Sequence, residues 1–400
     1  MAPGRLVGDI TARVIDAGRR IADSPTDDPR LTVQRALLDR GAAGWAFLHD
    51  ATGNLDERDA CLAFAGEAVG AHETHLSLHR GFVGVYWAHQ RLLEADADLE
   101  SFLAEVDDAI LAAATQPPPR YGHDLINGLV GLGIYALDRL PRPSARALLE
   151  EVVRRLLERA QWSGPHARWH TPQGGPNAAE EPSGIYDTGM GRGMSGIVCL
   201  LSAAVSRGIA TGAAEAIRGC AAYLLAQRTK HWAGSIPIWI TGDGRAEEPA
   251  QGWVYGDTGI AWALWLAGRC LRDASLEAAA IELARGGAER DPHGGKIWNP
   301  NFCRGAAGVA HILRRLGQAT GDAPLRAGAV KWLEAARAMH DAHRAQSPRW
   351  PAEVGDPKED GTEVDLRLVF GEPGLALAIL AAETEAPPKW ERLFLVDAPA

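Results

Sequence analysis

The sequence predicts an all-α protein, an α/α toroid of seven helical hairpins, and two observations carry that prediction. A Gly-x-x-Gly pair followed by an apolar run occurs at seven places, and amphipathic helical periodicity fills the intervals between them. The pairs are Gly41/Gly44, Gly81/Gly84, Gly128/Gly131, Gly193/Gly196, Gly256/Gly259, Gly305/Gly308 and Gly371/Gly374.

Composition alone makes about five such pairs in a chain this rich in glycine, so their number decides little. Their context decides more. No other pair with this spacing occurs, and each opens a run such as GWAFL, GVYWAHQRL, GIVCLLSAA, GIAWALWLAG, GVAHILRRLG or GLALAILAA. Nearly uncharged helices of this kind are surrounded by neighbours on all sides. Successive first glycines lie 40 to 66 residues apart, which leaves room for a second helix in each interval. Two of these second helices read directly. Leu99, Phe102, Leu103, Val106 and Ile110 recur at three- and four-residue steps, as do Leu148, Leu149, Val152, Val153, Leu156 and Leu157 after Ser144 as the expected N-cap. Seven buried helices inside seven amphipathic ones make the toroid.

Three stretches break the pattern: QPPPR at 116–120, the Pro- and Gly-rich segment 163–184, and the charged segment 347–363. They read as loops, the second long enough for a lid. The repeat continues on both sides of each, so the chain reads as one domain, 1–400. Glycine lets a helix start close to its neighbours and tolerates unusual turn dihedrals. In a closed ring the seven inner helices point the same way, gathering seven N-termini with unpaired N–H groups around one mouth. The residues just before each first glycine are expected to line it.

A net charge of -10 argues against a non-specific nucleic-acid binder. No apolar run reaches the roughly 18 residues of a membrane span, and the charged start MAPGRLVGDITARVIDAGRRIADS does not read as a signal peptide. A cytoplasmic protein without a membrane partner is expected. Five scattered cysteines, at 61, 199, 220, 270 and 303, give neither a disulfide framework nor a CxxC zinc motif.

The segments YGHDLINGLVGLGIYAL, YDTGMGRGMSGIVCLL, GWVYGDTGIAWAL, NFCRGAAGVAHIL and LVFGEPGLALAIL resemble the lanthionine synthetase C-like family, over roughly residues 1–385. The resemblance implies a seven-unit α/α barrel. Bacterial members make thioether rings by adding a cysteine thiol to dehydroalanine or dehydrobutyrine in a ribosomally made peptide, with zinc holding the thiolate. The positions implied as zinc ligands are occupied here by Val254, Cys303 and Arg304, so one ligand of three remains and no bound zinc is expected. A catalytic histidine of the family is matched by Arg192, and its catalytic aspartate by Asp124. His166 and His170, four apart, are a weak alternative metal pair because Gly164, Pro165 and Pro172 flank them.

Without the metal, the chemistry still needs a thiolate, a way to hold the enolate, and a proton for its α-carbon. Arg40, Arg80, Arg192 and Arg304 each directly precede a glycine pair, and guanidinium groups lower a thiol's pKa. The candidate catalytic residues are therefore Asp124, Arg192, Arg304, Tyr255 and Cys303. The candidate substrate-binding residues are His79, Arg80, His123, Asn127 and Asp257, with His79 and His123 as possible proton carriers. For Cys303 three roles stand open: vestige of the metal site, packing residue, or activated nucleophile.

Zinc-less cyclase domains of class III lanthipeptide synthetases, and stand-alone class V cyclases, are the members this chain looks like. The resemblance then implies a metal-independent cyclase without a cofactor. Its implied partners are a dehydrated precursor peptide and the kinase-like and lyase-like proteins that dehydrate it. The rival is an inactive toroid that binds the precursor or scaffolds those enzymes. A third reading, an α/α-toroid glycosidase or terpene cyclase, lacks a clear pair of catalytic carboxylates and an Asp-rich metal motif.

Overall fold

A computed structural model describes residues 3–23, 26–117, 121–172, 181, 183–209, 212–228, 234–292, 295–346, 365–384 and 387–397. The expected loop 347–363 lies outside these residues, as do 118–120 and most of 173–182.

The chain begins with α1 (Pro3–Asp23) and α2 (Pro29–Ala36) and then alternates inner and outer helices. In order these are α3 (Ala42–Thr52), α4 (Leu55–Ala71), α5 (Phe82–Leu92), α6 (Ala97–Thr115), α7 (Leu129–Arg139), α8 (Pro143–Arg159), α9 (Met194–Ser206), α10 (Ala213–Ala226), α11 (Asp257–Leu271), α12 (Ala274–Glu289), α13 (Ala306–Thr320), α14 (Ala323–Gln346) and α15 (Glu372–Ala382). The odd-numbered helices from α3 to α15 each begin directly after the first glycine of a pair. Each packs on the next, and α15 packs back on α3, so the inner ring closes. Outer helices α4 to α14 cover it, and α1 takes the seventh outer place against α15 and α3. There Arg13 Nη2 lies 2.6 Å from the buried Glu372 carboxylate.

The glycines are required by contact with their own turn. A Cβ on Gly81 would stand 1.8 Å from the carbonyl oxygen of His75, and one on Gly84 would stand 1.7 Å from that of Leu78. The same clash with the carbonyl three residues before the first glycine recurs at the second glycine of every pair. No side chain fits, so the spacing survives where much of the surrounding sequence varies between repeats.

Backbone hydrogen bonds join the seven turns into a second, smaller circle. Asp39 N–H donates to His79 O, His79 to Ile126, Leu125 to Gly191, Met190 to Val254, Val254 to Cys303, Cys303 to Val369, and Leu368 back to Asp39, at 2.9–3.3 Å. The acceptor in each case is the residue two before a first glycine.

The C-terminal segment fills the centre of the ring. Leu393, Phe394, Leu395 and Val396 are buried around a short 3-10 helix, Glu391–Phe394. The Trp253 indole donates to Phe394 O at 2.8 Å and the Trp262 indole to Leu395 O at 2.6 Å. The Phe394 ring centroid lies 4.1 Å from that of Phe302. Beneath them Glu391, 1% exposed, meets His311 at 2.9 Å and Arg315 at 3.1 Å. Arg314, also on α13, approaches the same carboxylate at 3.5 Å.

Three local expectations are corrected. Helix α8 is capped at Arg142 with Pro143 in its first turn, because proline's fixed φ suits that position, so Ser144 is not the N-cap. Phe102 is 44% exposed and meets Tyr86 edge-on at 5.3 Å. The 163–184 segment opens in strand structure, where β1 (Gln161–Ser163) pairs antiparallel with β2 (His166–Arg168); directly after it, β3 (Ile185–Asp187) pairs antiparallel with β4 (Trp239–Thr241).

Candidate active site at the mouth of the toroid

Each turn presents two successive residues ahead of its first glycine, and they face different ways. The residue two before is buried in every turn, whereas the residue one before is partly or fully exposed in six of seven. The exposed set is Arg40, Arg80, Asn127, Arg192, Arg304 and Phe370; Tyr255, at 8%, completes the circle. The expected lining is therefore there, ordered by the backbone circle. Arg192, Tyr255 and Arg304 stand on three consecutive turns.

That arc is electrostatically distinctive. The Arg304 guanidinium lies over the Tyr255 ring, 5.2 Å from its centroid. Arg192 turns Nη1 into the protein, sheltered from solvent and without a hydrogen-bond partner among the described residues. Burial pushes the Tyr255 phenol well above its ordinary range and nearby Asp187 adds to that, while Arg192 and Arg304 pull the other way. Tyr255 is thus a neutral hydroxyl at physiological pH.

Arg80 behaves differently. Its Nε donates to Oδ2 of Asp39 at 3.2 Å, and Asp39 is 2% exposed. That guanidinium is committed to compensating a buried carboxylate.

Asp124 is buried, and its Oδ1 accepts from the N–H groups of Ile126 and Asn127, both at 2.9 Å. The sister turns repeat the bond: Ser77 Oγ accepts from Arg80 N–H at 3.2 Å, and Asn301 Oδ1 from Arg304 N–H at 3.0 Å. One oxygen of Asp124 therefore fixes the turn, as a serine or an asparagine does elsewhere. Oδ2 accepts no hydrogen bond among the described residues. The amide of Asn127 is used by that cap, while its side chain sits on the mouth.

Three expectations about binding residues change. His79 is 0% exposed and neither ring nitrogen makes a well-formed hydrogen bond. Burial pulls its pKa down to about 4 despite neighbouring Asp39. His123 is also buried, and desolvation, only partly offset by Asp124, brings it to about 4. Both are neutral near pH 7 and unsuited to carry protons there. Asp257 is 0% exposed and turned away from the mouth: it accepts from Ile236 N–H at 2.9 Å and from Arg290 at 2.8 Å. Its role is to tie α11 to the end of α12. Sequence alone gives no signal for this, since Asp257 stands next to a mouth position.

Cys303 is 2% exposed, with its N–H and C=O both in the backbone circle. It lies close enough to Tyr255 for its charge to be felt there. At the three positions implied as zinc ligands stand an alkyl side chain, one sulfur and a guanidinium that stacks on a ring. That donor set does not fit zinc, which needs at least three ligating side chains. Among the described residues no group of three or more His, Cys, Asp or Glu is arranged to hold a metal ion. His166 sits in β2 against Tyr223, at 5.9 Å, and His170 Nε2 lies 2.8 Å from Ser183 O, so the alternative histidine pair is engaged separately. No helix among the described residues is long and apolar enough to cross a membrane.

The geometry can be set beside known proteins. The family model for lanthionine synthetase C-like proteins matches residues 33–395, taking in the buried tail that the motif resemblance left out. No curated protein matches the sequence. Among solved structures, nisin cyclase superposes with a TM-score of 0.79 at 16% identity, covering 98% of this chain and 97% of that one. An unsaturated glucuronyl hydrolase from Bacillus sp. GL1 gives 0.49 at 14% identity, covering 96% and 97%. With the family model spanning nine-tenths of the sequence and the closed ring of seven hairpins in place, the chain belongs to the lanthionine synthetase C-like family.

Proposed function

We propose that this protein is a zinc-independent lanthipeptide cyclase, one domain throughout, that closes thioether rings in a dehydrated precursor peptide. The observation that carries the reading is the arc Arg192–Tyr255–Arg304, which sets two guanidinium groups around a neutral phenol where the family otherwise holds metal and a histidine. In this reading the substrate cysteine enters the mouth as a thiol. Arg192 and Arg304 favour its thiolate, and Oδ2 of Asp124, on the turn bonded to that of Arg192, takes the proton. Sulfur attacks the β-carbon of dehydroalanine or dehydrobutyrine, a C–S bond forms, and the carbon–carbon double bond becomes an enolate. The solvent-facing part of the Arg192 guanidinium or the Tyr255 hydroxyl donates to the enolate oxygen. The proton returns from Asp124 to the α-carbon, so none is gained or lost. Cys303, enclosed by the backbone circle, packs beneath this arc. The dehydrated peptide would come from kinase-like and lyase-like partner proteins.

A second reading has one observation in its favour. His79 and His123, the two histidines expected to carry protons, are both held near 4 and do not titrate near neutrality. A toroid that only binds the precursor needs no such group.

One experiment separates the two. Chelator-dialysed protein, with zinc content measured, is incubated with dehydrated precursor and free thiols are counted over time. The cyclase reading expects thiol loss well above the protein-free rate and unchanged by chelation. Thiols persisting at the protein-free rate, with peptide binding retained, leave the binding toroid as the account.

A further inference from the structure

The circle of outer helices is closed by α1, which comes from the start of the chain rather than following α15. Glu372 at the first turn of α15 is covered from both sides, by Arg13 of α1 and by His340 of α14 at 3.0 Å. The other end of α15 is not covered in this way. There a cleft of about 390 Å³ opens between α13, α14 and α15, within the range of ligand pockets. It lies at the C-terminal ends of the inner helices, away from the mouth.

The walls of the cleft are small and apolar: Ala310, Ala329, Leu333, Ala378 and Ala382. Four alanines facing one another leave a slot where larger side chains would have filled the space. Its polar side chains are all basic or neutral. Arg314 and Arg326 stand at its edge, His311 at its floor, and no Asp or Glu is among the described lining residues, although the chain carries 51 acidic residues. Glu391, just beneath, is already compensated by His311, Arg314 and Arg315. Arg326 is exposed, and its Nε donates to the Gly317 carbonyl at 3.0 Å, while neither terminal nitrogen is bonded among the described residues. Val330, 59% exposed, extends the apolar surface over the lip along α14.

We propose that this cleft is a binding site for an acidic, amphipathic peptide segment. One apolar side chain fills the alanine slot, a neighbouring carboxylate meets the Arg326 guanidinium, and a second apolar residue covers Val330. Charge complementarity selects the acid, and the apolar lip beyond the slot selects a peptide over a small organic acid, which would leave Val330 bare. The site is independent of the mouth chemistry and stands whether or not the chain closes rings.

The test uses the full-length protein and two fluorescein-labelled peptides of equal length, one alternating Leu with Glu and one alternating Leu with Lys, followed by fluorescence anisotropy. The acidic peptide is expected to bind in spite of the protein's net negative charge, and the basic one to bind at least about tenfold more weakly. Arg326→Glu, on the exposed face of α14, is expected to weaken the acidic peptide by about tenfold or more with an unchanged thermal melt. Ala329→Leu, which adds bulk inside the slot, is expected to do the same. Octanoate is expected not to displace the peptide at equal concentration. Equal binding of both peptides overturns the proposal, as does insensitivity to Arg326→Glu. Full displacement by octanoate makes the cleft a small-acid site. Loss of binding in Arg192→Ala but not in Arg326→Glu moves the peptide to the mouth.

Discussion

Arg80 and Arg192 hold the same place in two turns of one ring, yet the molecule uses them differently. Arg80 is bonded to Asp39, a carboxylate with almost no contact with water, so removing it leaves a buried charge uncompensated. Arg192 has an inward nitrogen bonded to nothing among the described residues, so its removal costs the fold little. Position in a repeat therefore fixes where a side chain points, and the residue two before the first glycine of the preceding turn decides what it does there. For Arg80 that residue is Asp39; for Arg192 it is Ile126, whose side chain offers no acceptor.

The largest expected effect concerns His79, on the Arg80 side of this comparison. Unfolded, His79 binds a proton near its ordinary pKa of 6.5; folded, burial holds it near 4. The unfolded chain therefore binds more protons between those values, so folding stability falls as pH drops from about 6.5 toward 4. The slope from this one residue approaches about 1.4 kcal/mol per pH unit. Urea unfolding at several pH values should show a visibly shallower dependence in His79→Gln than in wild type. An unchanged slope would place the titration elsewhere.

Next comes the stability of the two arginine variants. Arg80→Ala is expected to cost about 2 kcal/mol, because Asp39 stays buried and Arg80 is only partly shielded. Arg192→Ala is expected within about 0.5 kcal/mol of wild type. Equal losses in urea titrations would erase the distinction.

The smallest effect is expected at Asp124. Asparagine keeps the cap oxygen, as Asn301 does in its own turn, so Asp124→Asn should lose less than about 1 kcal/mol of stability. Asp124→Ala removes the cap and should lose more, about 1–2 kcal/mol. If Asp124→Asn also leaves ring closure at the wild-type rate, the proton-carrying role of Oδ2 is wrong.

Much of the fold was legible because its signal is steric. Each glycine pair sits where a Cβ would strike a backbone carbonyl, and that constraint acts on every repeat alike. The inward and outward alternation before each glycine follows from the same turn, which is why the mouth lining was readable. The buried tail was not: KWERLFLVDAPA is a short apolar run after the last repeat, with nothing local to mark Phe394 as the partner of Phe302. Nor was the fate of His79, His123 and Asp257, since burial and partner choice depend on residues far away in sequence, such as Leu393 or Arg290. Asp124 shows the intermediate case. Its motif is visible, but only the comparison with Ser77 and Asn301 reveals how much of it serves the turn.

The central claim is that the arc around Arg192, and not the ring of arginines as a whole, carries the chemistry. It is tested most directly by ring closure on dehydrated precursor with metal-stripped wild type, Arg192→Ala and Arg80→Ala, at a temperature where all three are folded. The account predicts a loss of roughly a hundredfold in Arg192→Ala, the scale of removing one enolate-stabilising donor, and less than about threefold in Arg80→Ala. Equal rates in the two variants, or full activity in Arg192→Ala, would contradict it.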